Sequence, residues 1–254
     1  MPYLPYKDGK IYYEEQGSGG KIFIFVHGNI ASLKYWVKLR EFLPVDFKCY
    51  FLDLPGYGQS DNLPPYNINA FSEAVLHFFD SMNINSCIYV GNSTGGLIGM
   101  NTCLKTKKIE KIILVSTVPG KGYPLTDDAR AAFNLLMTNR VFLEQIIRNN
   151  VLAQFTDEVM IQEFIQDALR ATPQGYIELP ESLGSTNIIE DLKKINIPAL
   201  FLHGDEDKVI PLIWIDDTVS SIRGKLIVMK GLGHTPQLVA PQEVARNITN
   251  FVRG

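Results

Sequence analysis

The chain has 254 residues, of which 46% are hydrophobic and 20% are charged, and its formal net charge is −3. This is the composition of an ordinary globular protein, and the weak charge offers no attraction for nucleic acid or an anionic membrane surface. No apolar run approaches the ~20 residues of a transmembrane helix, and residues 1–13 lack the basic and apolar regions of a signal peptide. We therefore expect a cytoplasmic protein that neither binds nucleic acid nor inserts into membranes, with its oligomeric state left open.

The chain contains three cysteines, Cys49, Cys87 and Cys103. Their number is odd and no two of them have Cys-x-x-Cys spacing, which argues against a disulfide framework and against a zinc site. We interpret them as buried thiols in a reducing compartment, and we expect neither a metal nor a cofactor.

Short apolar runs predict strands, and helix-length segments lie between several of them. The predicted strands are residues 11–14, 22–26, 49–52, 87–90, 112–115, 199–202 and 226–229, and the predicted helices of this part are 33–43, 69–82, 97–104 and 241–252. The later strand runs are continuously apolar, as expected of strands buried on both faces. The alternation predicts an α/β fold whose central sheet is mostly parallel with helices on both faces, and the run 8–15 predicts an antiparallel edge.

Residues 118–192 contain no convincing strand. Helical patterns cover residues 127–137, 141–152 and 158–171, and a looser piece follows up to residue 184. Insertions of this kind tend to lie at the carboxyl edge of an open sheet, where ligands bind. We therefore predict a core domain of residues 1–117 and 193–254, with residues 118–192 as a helical cap over the binding site. A helical excursion without a substrate role is the alternative.

The pentapeptide Gly91-Asn92-Ser93-Thr94-Gly95 lies directly between a predicted strand and a predicted helix. A nucleophile on so sharp a turn needs strained backbone angles, and flanking glycines remove side chains that would clash. The turn exposes the Ser93 hydroxyl and places the Thr94 N–H at a helix N-terminus, where backbone donors are free. Short Gly/Ser patterns arise by chance, so it is the strand–turn–helix context that makes Ser93 the candidate nucleophile.

A serine nucleophile needs a base, and the chain has four histidines. His77 lies in the middle of a predicted helix among apolar residues, while His27 and His203 each end a strand. His234 follows the last predicted strand in a glycine-rich loop, from which it can reach a nucleophile at the carboxyl edge of the sheet. We therefore predict His234 as the base.

The base needs an acid to orient it. The loop after the strand 199–202 contains Asp205, Glu206 and Asp207, whereas the loop after the strand 112–115 contains no acid. The spacing of the residues alone leaves all three carboxylates as candidates.

These motifs together resemble the α/β-hydrolase family, and the resemblance covers residues 22–251. The order Ser93, Asp207, His234 is the family's order of nucleophile, acid and base. In the family pattern Gly-x-x-Asp followed by two apolar residues and proline, the acid aligns with Asp207. The turn 53–60 matches a structural signature of the family, and it lacks the glycine spacing and the lysine of a phosphate-binding loop.

The resemblance also implies an oxyanion hole. His27-Gly28 matches the family's His-Gly after its third strand, so the backbone N–H of Asn29 joins that of Thr94 as a donor. Many relatives carry His or Tyr at the position of Asn92. We expect the Asn92 side chain to point away from the nucleophile and to affect packing or substrate preference.

The chemistry predicted for this site is ester hydrolysis through an acyl-enzyme, with a small molecule as substrate. We expect an apolar pocket, and the absence of an Arg or Lys cluster in the cap favours neutral esters of small to medium acids. The predicted lining consists of Ile30, Trp36, Phe133, Leu136, Met137, Val209 and Ile210.

Related enzymes with the same triad cleave carbon–carbon bonds, thioesters or lactones, or carry out perhydrolysis, and these reactions stay open. A receptor or regulatory protein that keeps the triad but binds a small ligand is the alternative of another class. Haloalkane dehalogenases have aspartate as nucleophile, so Ser93 argues against that reaction.

Overall fold

A twisted sheet of eight strands forms the centre of the computed structural model, which describes residues 2–254. The strands are β1 (Tyr3–Tyr6), β2 (Gly9–Gln16), β3 (Lys21–Val26), β4 (Phe47–Leu52), β5 (Cys87–Asn92), β6 (Ile109–Val115), β7 (Ala199–Gly204) and β8 (Lys225–Met229). Their order across the sheet is β1-β2-β4-β3-β5-β6-β7-β8. The pairs from β4 to β8 are parallel, and β2 pairs antiparallel with both β1 and β4, which confirms the mostly parallel sheet with an antiparallel edge.

The outermost strand β1 was not predicted. It has only four residues and one of them is Pro5, a residue that is tolerated at a sheet edge but weakens any strand pattern in the sequence. Its alternating burial, with Leu4 and Tyr6 inside, is set by pairing with β2.

Helices cover both faces of the sheet, as predicted. Outside the stretch between β6 and β7, they are α1 (Val37–Arg40), α2 (Ile68–Ser81), α3 (Thr94–Lys105), α9 (Asp216–Ile222), α10 (Pro236–Val239) and α11 (Pro241–Arg253). Neighbouring strand residues alternate between two cores: Phe23 and Phe25 pack with α1 and α11, whereas Ile24 and Val26 pack with α2 and α3. The α/β fold therefore buries the sheet on both sides.

Five helices lie between β6 and β7, where the sequence predicts a cap. They are α4 (Asp127–Thr138), α5 (Arg140–Ile146), α6 (Glu158–Arg170), α7 (Pro173–Ser185) and α8 (Ile189–Leu192), and a π-helical turn, Ile147–Val151, follows α5. Within residues 2–254, no helix is both long and apolar enough to cross a membrane.

Helix α7 corrects the prediction of a looser piece after residue 171. Pro173 stands in the first turn of the helix, where proline is tolerated because its missing N–H would have no partner within the helix. The Thr172 hydroxyl caps this turn by accepting from the Gly175 N–H at 3.2 Å. Tyr176 and Leu179 supply the buried face of the helix, so tertiary packing overrides the low helix propensity of the segment.

Candidate active site

Ser93 occupies the tight turn between β5 and α3. Its backbone angles, φ 54° and ψ −121°, lie in a region that non-glycine residues rarely adopt. The glycines of the pentapeptide are required by contact: a Cβ on Gly91 would lie 2.4 Å from the Gly95 carbonyl oxygen, and one on Gly95 would lie 2.3 Å from the Val26 oxygen. The Ser93 N–H donates to the Val115 oxygen at 3.0 Å, so the neighbouring strand β6 holds the turn in place.

Asp207 and His234 form a buried pair on the loops after β7 and β8. The Asp207 Oδ2 lies 2.8 Å from the His234 Nδ1, and the Asp207 Oδ1 accepts the Val209 and Ile210 N–H groups at 2.8 and 2.9 Å. Burial opposes ionisation of Asp207, but the charge of His234 and these hydrogen bonds outweigh it and lower the pKa of the carboxyl below its usual range. Asp207 is therefore ionised at neutral pH and orients the imidazole.

The other two acids of this loop face elsewhere. The Asp205 Oδ1 accepts the Gly231 N–H at 2.7 Å, and its Oδ2 lies 3.2 Å from the Lys230 Nζ. Glu206 accepts a hydrogen bond from the Gln154 amide at 3.0 Å. Of the three carboxylates that the sequence left open, Asp207 is the one paired with His234.

The remaining histidines are engaged in packing and backbone contacts. The His27 Nε2 accepts the Leu54 N–H at 3.0 Å, and burial lowers the pKa of His27 to about 4, so this ring is neutral and ties two loops together. His77 packs against the ring of Tyr6, with ring centroids 5.0 Å apart.

His203 contacts Asp207, which the sequence analysis did not predict. Its Nε2 lies 2.8 Å from the Ile210 oxygen and 3.5 Å from the Asp207 Oδ2, and burial lowers its pKa. The signal in the sequence is the spacing of four residues between His203 and Asp207 across one turn.

Gly28, in the loop that follows β3, lies directly beside Ser93. A Cβ added to Gly28 would stand 2.9 Å from the Ser93 Cβ and 3.4 Å from its Oγ, so only glycine leaves room here. Neither the Asn29 N–H nor the Thr94 N–H donates a hydrogen bond to another residue of 2–254. The Asn29 Oδ1 accepts the Tyr57 hydroxyl at 2.9 Å, which holds this loop from the side.

Asn92, the residue that departs from many relatives, is turned toward the neighbouring strand. Its Nδ2 donates to the Val115 oxygen at 3.0 Å and the residue is buried. The side chain is thus hydrogen-bonded to the backbone of β6.

A cavity of about 230 Å³ lies at the carboxyl edge of the sheet beneath the inserted helices. Ser93 and His234 lie in its wall, as do Asn29 and Thr94. Five of the predicted pocket residues line it, namely Ile30, Phe133, Leu136, Val209 and Ile210. Its wall also contains residues that the sequence analysis did not name, among them Tyr35, Tyr123, Phe142, Ile146, Ile147, Asn150, Val151, Leu183 and Lys208.

Trp36 and Met137 do not line the cavity, and the predictions for them are wrong. Residues Leu33–Trp36 form a 3₁₀ turn, which directs Tyr35 to the cavity and Trp36 to the opposite core, where its ring packs edge-on against Phe25. On α4, Leu136 faces the cavity, whereas its neighbour Met137 packs, partly buried, against the larger core cluster.

The fold is that of an α/β hydrolase. The sequence model of the alpha/beta hydrolase family matches residues 23–247, and the chain belongs to this family.

Three known proteins illustrate the range of similar chains. A bifunctional esterase/perhydrolase of Acinetobacter calcoaceticus is 24% identical over 279 residues, covering 100% of both chains. A karrikin insensitive 2 receptor of Petunia hybrida is 23% identical over 247 residues, covering 89% of this chain and 88% of its own. The crystal structure of an enol-lactonase from Burkholderia xenovorans superposes with a TM-score of 0.87 at 18% identity, covering 100% of both chains.

Proposed function

We propose that the protein is a serine hydrolase that cleaves carboxylic esters of small to medium, mainly apolar acids. The observation that carries this proposal is the combination of Ser93 on a strained turn with the buried His234–Asp207 pair, with both Ser93 and His234 in the wall of one apolar cavity. This is the combination of nucleophile, base and orienting acid that acyl transfer requires.

In the first half of the reaction, His234 takes the proton of the Ser93 hydroxyl as its oxygen attacks the ester carbonyl. The Nδ1 of His234 is occupied by Asp207 at 2.8 Å, so the Nε2 is the atom that accepts the proton. The carboxylate stabilises the imidazolium that forms, and the imidazolium then protonates the departing alcohol. Ser93 keeps the acyl group.

The negative charge on the carbonyl oxygen is received by backbone donors. The Asn29 and Thr94 N–H groups have no other acceptor among the described residues and lie in the cavity wall beside Ser93. Thr94 begins α3, so the helix dipole adds to the stabilisation of the oxyanion. In the second half, His234 activates a water molecule, which attacks the acyl carbonyl and releases the acid and Ser93.

The volume and the lining of the cavity support small to medium, apolar substrates. Ligand pockets typically measure roughly 300–1,000 Å³, and this one, at about 230 Å³, lies just below that range. Its lining is dominated by aliphatic and aromatic side chains from α4, α5 and the π-helical turn, which favours an apolar acyl or alcohol group. The division into a core of residues 1–117 and 193–254 and a cap of residues 118–192 belongs to the same proposal.

The test is turnover of p-nitrophenyl esters of increasing chain length by the unchanged protein and by Ser93→Ala. We expect the variant to keep its melting temperature and to lose hydrolysis, because the small hydroxyl-to-hydrogen change leaves the turn intact. Unchanged turnover in Ser93→Ala would overturn the assignment of the nucleophile.

Two observations favour further candidate functions. Similar chains are named perhydrolase and enol-lactonase, so hydrogen peroxide as acyl acceptor and lactones as substrates belong in the same assay panel, together with thioesters and carbon–carbon bonds of ring-fission products. Another similar chain is named a receptor, which keeps a small-ligand binding role as the alternative of a different class. Trace turnover on every substrate combined with a large thermal shift by one ligand would favour binding.

The three cysteines support a reducing compartment such as the cytoplasm. Cys49, Cys87 and Cys103 are buried and unpaired, and burial raises the pKa of Cys49 and of Cys87 to about 12. Such thiols stay protonated and unreactive at neutral pH.

A further inference from the structure

The loop that carries His234 is hydrogen-bonded to the side chain of Gln154, which lies in the turn between the π-helical turn and α6. The Gln154 Oε1 accepts the Gly233 N–H at 2.8 Å, and the Gln154 Nε2 donates to the Gly231 oxygen at 3.0 Å. Gly233 directly precedes His234. The backbone N–H next to the base is therefore hydrogen-bonded to a side chain from outside the loop.

The same amide also reaches the loop that carries the acid. The Gln154 Nε2 donates to the Glu206 Oε2 at 3.0 Å, and Glu206 directly precedes Asp207. Gln154 thus joins the loop after β7 to the loop after β8 through one rigid planar group. No other side chain of residues 2–254 hydrogen-bonds to both loops from outside them.

A second contact fixes the other side of the histidine. The Thr235 hydroxyl donates to the Val151 oxygen at 2.9 Å, and Val151 is the last residue of the π-helical turn and lines the cavity. His234 is therefore flanked at both neighbours by hydrogen bonds to the segment 151–154. Such π-helical turns occur frequently at functional sites.

The loop before His234 is rich in glycine. Apart from Gln154, it is held by the loop after β7, where the Glu206 N–H donates to the Leu232 oxygen at 3.0 Å and Asp205 accepts the Gly231 N–H at 2.7 Å. Gly231 adopts a φ of +70°, and Gly231 and Gly233 flank Leu232, so this stretch has high conformational freedom when it is not held. A base must keep its nitrogen within about 0.5 Å of the productive position, and a displacement of about 1 Å can cost roughly a hundredfold in rate.

We propose that Gln154 is a positioning residue for the base, and that through it the seating of the inserted helices on the core sets the rate of the chemical step. This inference rests on the assignment of His234 as the base in the proposed function. Gln154 acts through the backbone of Gly231 and Gly233 and through Glu206.

The first experiment compares Gln154→Ala with Gln162→Ala. Gln162 is a matched control, because it is also a glutamine of the stretch between β6 and β7 and its amide donates to a carboxylate, that of Glu158 at 2.9 Å, but it touches neither loop. The readouts are kcat per active site titrated with a fluorophosphonate, KM for a p-nitrophenyl ester, and the melting temperature. We expect Gln154→Ala to lower kcat per titrated site by about 10- to 100-fold with KM within about threefold, and Gln162→Ala to stay within twofold of the unchanged protein.

A purely structural role predicts a different result. Loss of folded protein reduces the number of titratable sites, but each remaining site keeps its normal kcat. A Gln154→Ala protein with normal kcat per titrated site would therefore overturn the proposal.

The second experiment reverses donor and acceptor between Gln154 and Glu206. Gln154→Glu keeps an oxygen for the Gly233 N–H but places a carboxylate against both the Glu206 carboxylate and the Gly231 oxygen, and we expect it to lose kcat as Gln154→Ala does. Adding Glu206→Gln supplies an amide donor to the new carboxylate, so the double variant should recover at least severalfold in kcat over Gln154→Glu. Absence of any recovery would contradict the bridge between the two loops.

The labelling rate of Ser93 by the fluorophosphonate separates this inference from the proposed function. If the unchanged protein is not labelled at Ser93, the assignment of His234 as base is overturned, and this inference with it. Normal labelling of the unchanged protein together with an equal rate in Gln154→Ala would overturn the role of Gln154 alone.

Discussion

The sharpest prediction concerns Asp207→Asn, which tests the acid of the site. The Asp207 Oδ1 accepts two backbone N–H groups, those of Val209 and Ile210, and its Oδ2 faces the His234 Nδ1 at 2.8 Å. In the variant, the amide oxygen has to replace Oδ1, because only an oxygen can accept the hydrogen bonds of the two backbone N–H groups. The amide NH₂ then faces the imidazole and forces its Nδ1 to accept.

The consequence is the wrong tautomer of the base. A neutral imidazole that accepts at Nδ1 carries its hydrogen on Nε2, and this nitrogen is then unable to take the Ser93 proton. The same tautomer error in a catalytic triad lowers kcat about 10⁴-fold, which corresponds to roughly 5 kcal/mol of transition-state stabilisation. We therefore expect Asp207→Asn to retain about one part in ten thousand of the activity while keeping its fold.

The assay is single-turnover and steady-state hydrolysis of a p-nitrophenyl ester, with Asp205→Asn as the control. Asp205 lies two residues away, and the side-chain amide oxygen of the variant would still accept the Gly231 N–H, so we expect that variant within about threefold of the unchanged protein. A strongly impaired Asp205→Asn beside a nearly normal Asp207→Asn would refute the reasoning and move the acid two residues upstream.

Three further predictions concern the wall beside the nucleophile, the cavity and a buried carboxyl. Gly28→Ala should lower kcat about 10- to 100-fold because its Cβ would stand 2.9 Å from the Ser93 Cβ; Gly20→Ala, with no atom within 4 Å of the new Cβ, should be normal in the same ester assay. Phe133→Ala should enlarge the cavity and move the best substrate of an ester series to a longer acyl chain, and an unshifted optimum would remove Phe133 from the acyl site. Burial raises the pKa of Asp53 to about 7, so Asp53→Asn should change how stability depends on pH, measured by urea unfolding at pH 5 and pH 8.

The sign of the Asp53 effect follows from proton binding. Between the ordinary pKa of 3.8 and about 7, the folded protein holds a proton on this carboxyl that the unfolded chain has released. Stability from this group is therefore lost as the pH rises through that window. The advantage of the unchanged protein over Asp53→Asn should shrink by ~3 kcal/mol between pH 5 and pH 8, and an advantage that grows with pH would contradict the raised pKa.

The sequence alone was sufficient to predict those properties that depend on residues close together in the chain. The turn around Ser93 needs glycines within two residues of the serine, so its geometry is visible in a pentapeptide. Continuous apolar runs identified the parallel strands, because a strand buried on both faces requires them at every position. The choice of His234 among four histidines followed from its place after the last parallel strand.

Sequence patterns were insufficient to predict which residues line the cavity where the side chains of two neighbouring residues point in opposite directions. Tyr35 lines the cavity and Trp36 is buried in the opposite core, because a 3₁₀ turn rather than a regular helix begins at Leu33. The residue types are equally apolar, so only the packing of this turn on the sheet decides which side chain meets a substrate. The same holds for Leu136 and Met137 on α4.

Residues far apart in the chain meet only in the folded protein. The spacing of Asp205, Glu206 and Asp207 left the acid open, and the resemblance to a family selected Asp207 without a physical reason in the chain itself. In the structure, two backbone N–H groups and His234 surround Asp207, whereas Asp205 pairs with Lys230 and Glu206 accepts from Gln154. Gln154 carries no signal in the sequence, because its three hydrogen bonds depend on how the inserted helices seat on two loops that follow more than 50 residues later.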